Sequence, residues 1–368
     1  MIVIAPDSYK GTMSAIEVCE IIKKEFQAVD GSVEIKCVPI ADGGEGTVDA
    51  LLFNGGERIT AAAKDPFFND IESFYGILPD GTAVIEMAAA SGLPLAGDKK
   101  NPMLATTYGT GQLIKHALDR GCKKILIGVG GSATNDGGIG CAAALGAEFL
   151  DSDGNSVQLT GGGMKDIETV NLSGMDSRIK DTDIKVLCDV VSPLYGENGA
   201  AYIFSPQKGA TPEMVVELDN GLKHLAEVTA KAIGKDNALN EGAGAAGGLG
   251  FGLVSFLGAQ LVKGAPTVLK TMGFEKIAAE ADLVITGEGC MDNQSLLGKA
   301  PAQVAALSGD TPVVAIVGMS KVTDMSGSKI KKIYVTDHDV RTFEQVLKEC
   351  RSDLAMAAHK VAVEWLEK

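Results

Sequence analysis

KKILIGVGGSATNDGG, residues 123–138, passes from a short apolar run into a stretch that is nearly half glycine. Its first seven residues alternate nothing and stay apolar after two lysines, the pattern of a strand buried on both faces. From Gly128 onward the stretch carries glycine at 128, 130, 131, 137 and 138, and no bulky residue follows Val129. So bare a backbone loses much chain entropy on folding, so a close approach or an unusual dihedral is expected to require it. Strand, glycine loop and small-residue helix in that order make one unit of an α/β sheet.

The same alternation recurs outward in both directions. IVIAP (2–6) precedes the helical pattern SAIEVCEIIKKEF, and IKCVPI (35–40) precedes TVDALLF. DLVITGEG (282–289), PVVAIVG (312–318) and KIYVTD (332–337) repeat it near the other end. Such runs predict a mostly parallel sheet with ligands at the carboxyl ends of its strands. The middle reads differently, because GILPDGTAVIEM (76–87) and AEFLDSDGNSVQLT (147–160) set a DG turn between apolar flanks, a hairpin signal. The expected architecture is therefore a Rossmann-like parallel-sheet α/β domain, residues 1–64 plus 266–368, with a second, mixed α/β domain inserted at 65–265.

Composition narrows the function. The 368 residues carry 48 acidic against 33 basic side chains, a net charge of -15, with no cluster of five or more lysines and arginines. That balance repels nucleic acid and anionic membrane surfaces. Seven scattered cysteines without CxxC spacing suit reduced core thiols in a cytoplasmic protein, and no targeting segment is legible. GAGAAGGLGFGLVSFLGAQLV (242–262) is uncharged over a membrane-spanning length, but its seven glycines read as a tightly packed buried helix. A homo-oligomer is compatible with all of this.

Polar motifs gather where strands end. APDSYKGT (5–12) offers Asp7, Ser8 and Lys10; Asp7 or Ser8 alone would serve as a helix cap, which leaves Lys10 without a structural reason. ADGGEGT (41–47) offers Asp42 and Glu45, either as turn and first-turn acids or as ligands for Mg²⁺. In the opening stretch, Gly128, Gly130 and Ala133 satisfy the dinucleotide pattern, with Asp151 at the spacing of a ribose-binding acid. That keeps open an NAD-dependent oxidoreductase of a small hydroxy acid. Asp151 opens the turn DSDG, however, and Ser132, Thr134 and Asn135 with the N–H groups of Gly130 and Gly131 instead form an anion nest; Asp136 is then a cap or lies near a cation. IKVLCDV delivers Asp189 near a strand end, and TGEGCMDNQSLLGK (286–299) adds Glu288, Asp292 and Lys299. GK at 298–299 is no P-loop, since Asn293 and Ala300 stand where glycine and Ser/Thr belong. His116, His224, His338 and His359 lie apart from these motifs, which argues against a His-based relay.

Taken in order, APDSYKGTMSA, PIADGGEGT, DPFF, TYGTGQLI, GGSATNDGG, CDVVSPLYG, PQKGAT, GAGAAGGLGFGL and TGEGCMDNQSLLGK resemble the signature segments of the bacterial class I glycerate kinases. The resemblance implies a two-domain α/β protein with its active site in the cleft, a Mg²⁺-dependent transfer of phosphate from ATP to D-glycerate, and 2-phosphoglycerate rather than 3-phosphoglycerate as product. Cys290 stands where the family usually has arginine, and Val191 and Ser192 depart from its CDVDNPL-like run. A binding protein for small acids without catalysis is the other alternative.

Phosphoryl transfer needs a polyphosphate cradle, a metal, a cation on the transferring group and a carboxylate to take the alcohol proton. The expected cradle is Gly130, Gly131, Ser132, Thr134 and Asn135, and the expected metal ligands are Asp42 and Glu45 or Glu288. Asp189 is the preferred base with Asp7 beside it, Lys10 carries the charge, and Ser8, Lys10, Asp292 and Lys299 are expected to bind substrate.

Overall fold

The computed structural model describes residues 1–336 and 341–367, so His338 lies outside the described residues. The chain divides into two compact units. The first holds Met1–Asp42, Asp49–Asn54 and Ala265–Lys368; the second holds Gly43–Val48 and Gly55–Gly264.

The first unit is built on a five-stranded parallel sheet in the order Ile330–Val335, Val313–Val317, Leu283–Gly287, Ile2–Pro6, Ile35–Cys37. Its three central strands are buried along their whole length, as unbroken apolar runs require. One face is covered by the helices Ala15–Val29 and Phe343–Leu366, whose Val18, Ile22, Phe26, Leu354 and Val361 share a core with Ile4 and Ile285. Ser14 caps the first helix by accepting the Glu17 N–H, and Thr342 with Gln345 closes a capping box on the second. Leu269, Phe274, Ala278 and Val304 cover the other face.

Going along the chain, the path adds Ile35–Cys37 on one side of Ile2–Pro6 and later places Leu283–Gly287 on its other side. The order therefore reverses between Ile2–Pro6 and Leu283–Gly287. That reversal leaves a crevice at the strands' carboxyl ends, where open α/β sheets take their ligands.

The second unit carries a six-stranded mixed sheet: Gln260–Val262, Asp183–Leu187, Lys124–Gly128 and Ala83–Glu86 run parallel, and Asp70–Ile77 and Glu57–Lys64 are antiparallel. The DG turn at 80–81 joins the last antiparallel strand to Ala83–Glu86, as its sequence predicts. Glu57–Lys64, which the sequence reading assigned to the first domain, pairs along its whole length with Asp70–Ile77 in this sheet. Register aligns Glu86 with Gly128 and Gly128 with Leu187, so three strand ends finish level.

The uncharged stretch 242–262 forms a buried helix, Ala245–Leu257, that opens with left-handed residues 246–248. Among the described residues no helix is long and apolar enough to cross a membrane. Six of the seven free cysteines are buried; Cys290 is exposed.

Candidate active site

In the first unit, the polar residues cluster at the strand reversal. The Asp7 N–H continues the parallel ladder by donating to Gly287 O at 2.9 Å, which sets Asp7 beside the start of Glu288. One Asp7 oxygen accepts the Ser8 N–H at 2.6 Å. Burial, and then the nearby Asp42 carboxylate, push the Asp7 carboxyl up to about 7, against the pull of the Ser8 N–H and the Lys10 ammonium. Glu288 adds to the rise from the adjoining strand. A carboxyl held near neutrality can take and return a proton at physiological pH.

Lys10 Nζ lies 3.3 Å from Asp42 Oδ2, and Asp42 raises the lysine's pKa. With side-chain exposures of 78% and 38%, the pair contributes little to stability. Burial likewise raises Glu288, opposed by the Ser295 hydroxyl and Lys299. Its Oε1 is buried with no hydrogen-bond partner among the described residues. A buried acceptor left unpaired costs about 1–3 kcal/mol, which a bound cation or donor would relieve.

Asp292 is engaged locally. Its Oδ1 accepts the Ser295 N–H at 2.8 Å and hydroxyl at 3.1 Å, bonds that lower its pKa, and Lys299 Nζ stands 3.6 Å away. Lys299 itself sits at the N-cap of the helix Ala300–Leu307. The unit thus brings together Asp7, Ser8, Lys10 and Asp42 at one strand end, and Glu288, Asp292 and Lys299 at the next.

In the second unit the glycine loop follows the strand Lys124–Gly128. A Cβ on Gly128 would collide with the Gly43 carbonyl oxygen, and one on Gly130 would stand 2.6 Å from Gly44 Cα. Gly131 adopts φ +74°, a region that disfavours side chains. On the loop's other side, a Cβ on Gly247 would strike the Thr134 carbonyl, and the Gly137 N–H donates to Gly247 O at 3.1 Å. The bare backbone is thus explained first by three glycine-rich segments packed against one another. The Gly130 N–H, expected to be offered to an anion, is donated instead to Gly43 O at 3.1 Å.

Other donors stay open. Thr134 and Asn135 are fully buried, yet Thr134 Oγ1 and Asn135 Nδ2 have no partner among the described residues. Asn135 Oδ1 accepts from Ser205 Oγ at 2.7 Å. Ser132 Oγ accepts from Lys208 Nζ, also at 2.7 Å. Asp136 proves to be a cap: its carboxylate accepts from the Thr107 N–H and hydroxyl at 2.7 and 2.8 Å and from the N–H groups of Gly138 and Gly140 at 3.1 and 3.3 Å.

Glu45 is exposed in the neighbouring loop. That loop is anchored by buried Glu86, whose Oε1 accepts the Val48 N–H at 2.7 Å. Asp189, read from the sequence as a buried acid, is exposed, and its Oδ1 accepts the Gly264 N–H at 3.1 Å. The strand ends at Leu187, two residues short of it, so the chain has already left the sheet.

Sequence reasoning missed Glu86 and Lys208. An acid closing the apolar run AVIE was the available signal for the first; Lys208 appeared in the segment PQKGA, but its burial comes from packing distant in sequence. Asp151, needed for the dinucleotide reading, is used up in a turn by accepting from the Asp153 and Asn155 N–H groups, both at 2.9 Å. His116 bonds Tyr75 at 2.9 Å, His224 bonds Ile167 O at 2.7 Å, and His359 faces Glu25 at 3.3 Å, all outside the motifs.

Carboxylates gathered at the strand ends of a parallel α/β sheet stand where open sheets of this class bind small-molecule ligands. A profile of the glycerate kinase family matches residues 2–366. A glycerate kinase from Bacillus subtilis (strain 168) is 47% identical over 86% of this chain and 84% of its own length. A glycerate 2-kinase from Escherichia coli (strain K12) is 44% identical over 98% and 97%. A crystal structure assigned to glycerate kinase 2 of Salmonella typhimurium LT2 superposes with a TM-score of 0.89 at 40% identity, covering 100% of this chain and 98% of that one. The chain belongs to the glycerate kinase family, and it is an enzyme of that activity.

Proposed function

We propose that the enzyme transfers the γ-phosphate of ATP to the C2 hydroxyl of D-glycerate, with Mg²⁺, to give 2-phosphoglycerate and ADP in the cytoplasm. The observation that carries the chemistry is Asp7, a carboxyl at the strand reversal held at about 7 by burial and by its carboxylate neighbours. The glycerate hydroxyl gives its proton to Asp7 as its oxygen bonds to the γ-phosphorus, and the bond from that phosphorus to the ADP oxygen breaks. Asp7 takes the role expected of Asp189, because Asp7 is held at about 7 at the strand reversal whereas Asp189 is exposed, beyond the end of its strand at Leu187.

Lys10 offsets the charge on the transferring group or holds the glycerate carboxylate, and Ser8 and Lys299 assist substrate binding. Asp292 positions Ser295 through hydrogen bonds and Lys299 through an ion pair.

Among the described residues no three His, Cys, Asp or Glu side chains are arranged to hold a metal ion. Mg²⁺ needs no such cage, since it commonly takes one or two carboxylates with water and substrate phosphate. The unpaired Glu288 Oε1 fits that demand, and Asp42 is its partner in this reading. When bound, Mg²⁺ neutralises phosphate charge. In the second unit, Gly131, Ser132, Thr134 and Asn135 hold the polyphosphate, and Gly130 supports them through its packing.

The test is purified protein with D-glycerate, ATP and Mg²⁺, followed by phosphorus NMR. A 2-phosphoglycerate signal that vanishes on chelation supports the proposal. 3-phosphoglycerate, or turnover unchanged by chelation, overturns the corresponding part.

A further inference from the structure

Lys208 is a lysine that the protein has placed almost wholly out of water, at 2% exposure. Its Nζ donates to Ser132 Oγ and to the Thr134 carbonyl, both at 2.7 Å. An ammonium has three donors and these are two. No carboxylate lies within ion-pair distance of it among the described residues. Asp136 is the charged group that acts on it, and that carboxylate is already bound by Thr107, Gly138 and Gly140. On its remaining side Lys208 adjoins Gly209, which packs on the Lys100 backbone, and Ser205, whose hydroxyl is spent on Asn135.

A buried cation without a counter-ion is costly unless something supplies one. The same loop holds two further buried groups without partners, Thr134 Oγ1 and Asn135 Nδ2. The unpartnered hydroxyl of Thr134 and amide of Asn135 lie on the segment that the Lys208 ammonium contacts at Ser132 and Thr134, and the three share one chemical complement, an anion with several acceptor oxygens. The one carboxylate in the stretch, Asp136, has its oxygens committed to Thr107, Gly138 and Gly140.

We propose that Lys208 is the cation of the glycine loop, and that a phosphate of the nucleotide is its counter-ion. The proposal rests on the reading of residues 131–135 as the polyphosphate cradle and adds to it a residue, a charge and a proton. Burial lowers the lysine to about 7 in the free protein, so much of it is neutral at pH 8. A phosphate arriving beside it restores the ammonium, so nucleotide binding takes a proton from solvent.

The experiment is calorimetric titration of the full-length protein with ADP at pH 8, in two buffers of different ionisation enthalpy. At that pH ADP is itself deprotonated, and a group near 7 that becomes fully charged takes up about 0.9 proton per ADP. Lys208→Arg carries a fixed charge and is expected to bind ADP within about threefold of wild type with no uptake. Lys208→Met is expected to bind at least about tenfold more weakly. Absence of proton uptake in the wild type overturns the proposal without any variant, so a variant that fails to fold does not shield it. Uptake on titration with D-glycerate in place of ADP also overturns it, by moving the loop to the acid substrate. Thr134→Val separates the two readings: if it weakens ADP binding while Lys208→Met does not, the cradle stands and the role of Lys208 falls. If neither weakens ADP, the cradle falls as well.

Discussion

The two sites use opposite electrostatic means. In the first unit, burial and then the Asp42 and Glu288 carboxylates drive Asp7 up to about 7. In the second, the glycine loop presents hydroxyls, an amide and the buried Lys208, its one carboxylate, Asp136, being spent on Thr107, Gly138 and Gly140, and its shape follows from backbone packed on backbone. In the proposed mechanism the first stores charge and moves a proton. The second is a place where donors are held ready. Function in the first should therefore respond to charge and pH, and in the second to volume.

The largest effect is expected at Asp7. Asp7→Asn removes the proton acceptor and should lower kcat by about a thousandfold or more, read in a coupled ADP assay. In the wild type kcat/KM should fall about tenfold per pH unit below about 7, as Asp7 becomes protonated. The same substitution should stabilise. The Asp7 carboxyl is held above the ordinary carboxylate range, so the folded chain keeps a proton that the unfolded chain releases. That contribution is present at low pH and lost as pH rises through about 7. Above pH 7, Asp7→Asn should therefore be more stable than wild type by about 1–2 kcal/mol, measured as the urea midpoint. A variant both inactive and less stable would deny that the site stores repulsion.

In the second unit, Gly130→Ala drives a methyl to 2.6 Å from Gly44 Cα and should cost about 2–3 kcal/mol by urea denaturation. Gly46→Ala is the control, because Gly46 has φ +88° and no atom within 4 Å of an added Cβ. It should cost only about 1 kcal/mol, from its dihedral alone. Equal losses would mean that volume is not what the glycines protect.

Lys10→Met should change stability by no more than about 0.5 kcal/mol, the pair with Asp42 being exposed, and yet reduce turnover about tenfold. The smallest effect is expected at Asp189: the amide of Asp189→Asn can still accept the Gly264 N–H, and turnover should stay within about threefold. A loss of orders of magnitude there would return the role of base to Asp189.

Much of the parallel sheet was legible. IVIAP and DLVITGEG are buried on both faces, so nothing but a strand inside a sheet accommodates them. The polar residues that end those runs were legible too, so Asp7 and Glu288 stand at strand ends as the sequence implies. ERITAAAK was harder, since one face of Glu57–Lys64 is exposed and small alanines blur its alternation. The role of the glycines was misjudged for a related reason. Gly128 and Gly130 meet residues 43 and 44, more than 80 positions away, and local sequence holds no record of that encounter. Lys208 was missed on the same ground: a lysine is normally solvated, and only tertiary packing takes its water away.

The division of the chain has a practical consequence for dissecting the enzyme. It passes from one unit to the other four times, after Asp42, Val48, Asn54 and Gly264. Neither unit is a continuous piece of gene. Expressing residues 55–264 alone would omit Gly43 and Gly44, the backbone on which Gly128 and Gly130 rest, and the Val48 N–H that Glu86 holds. Such a fragment would keep its sheet but lose the floor of its own loop, so a severed second unit is expected to bind nucleotide only when the peptide 43–48 is restored.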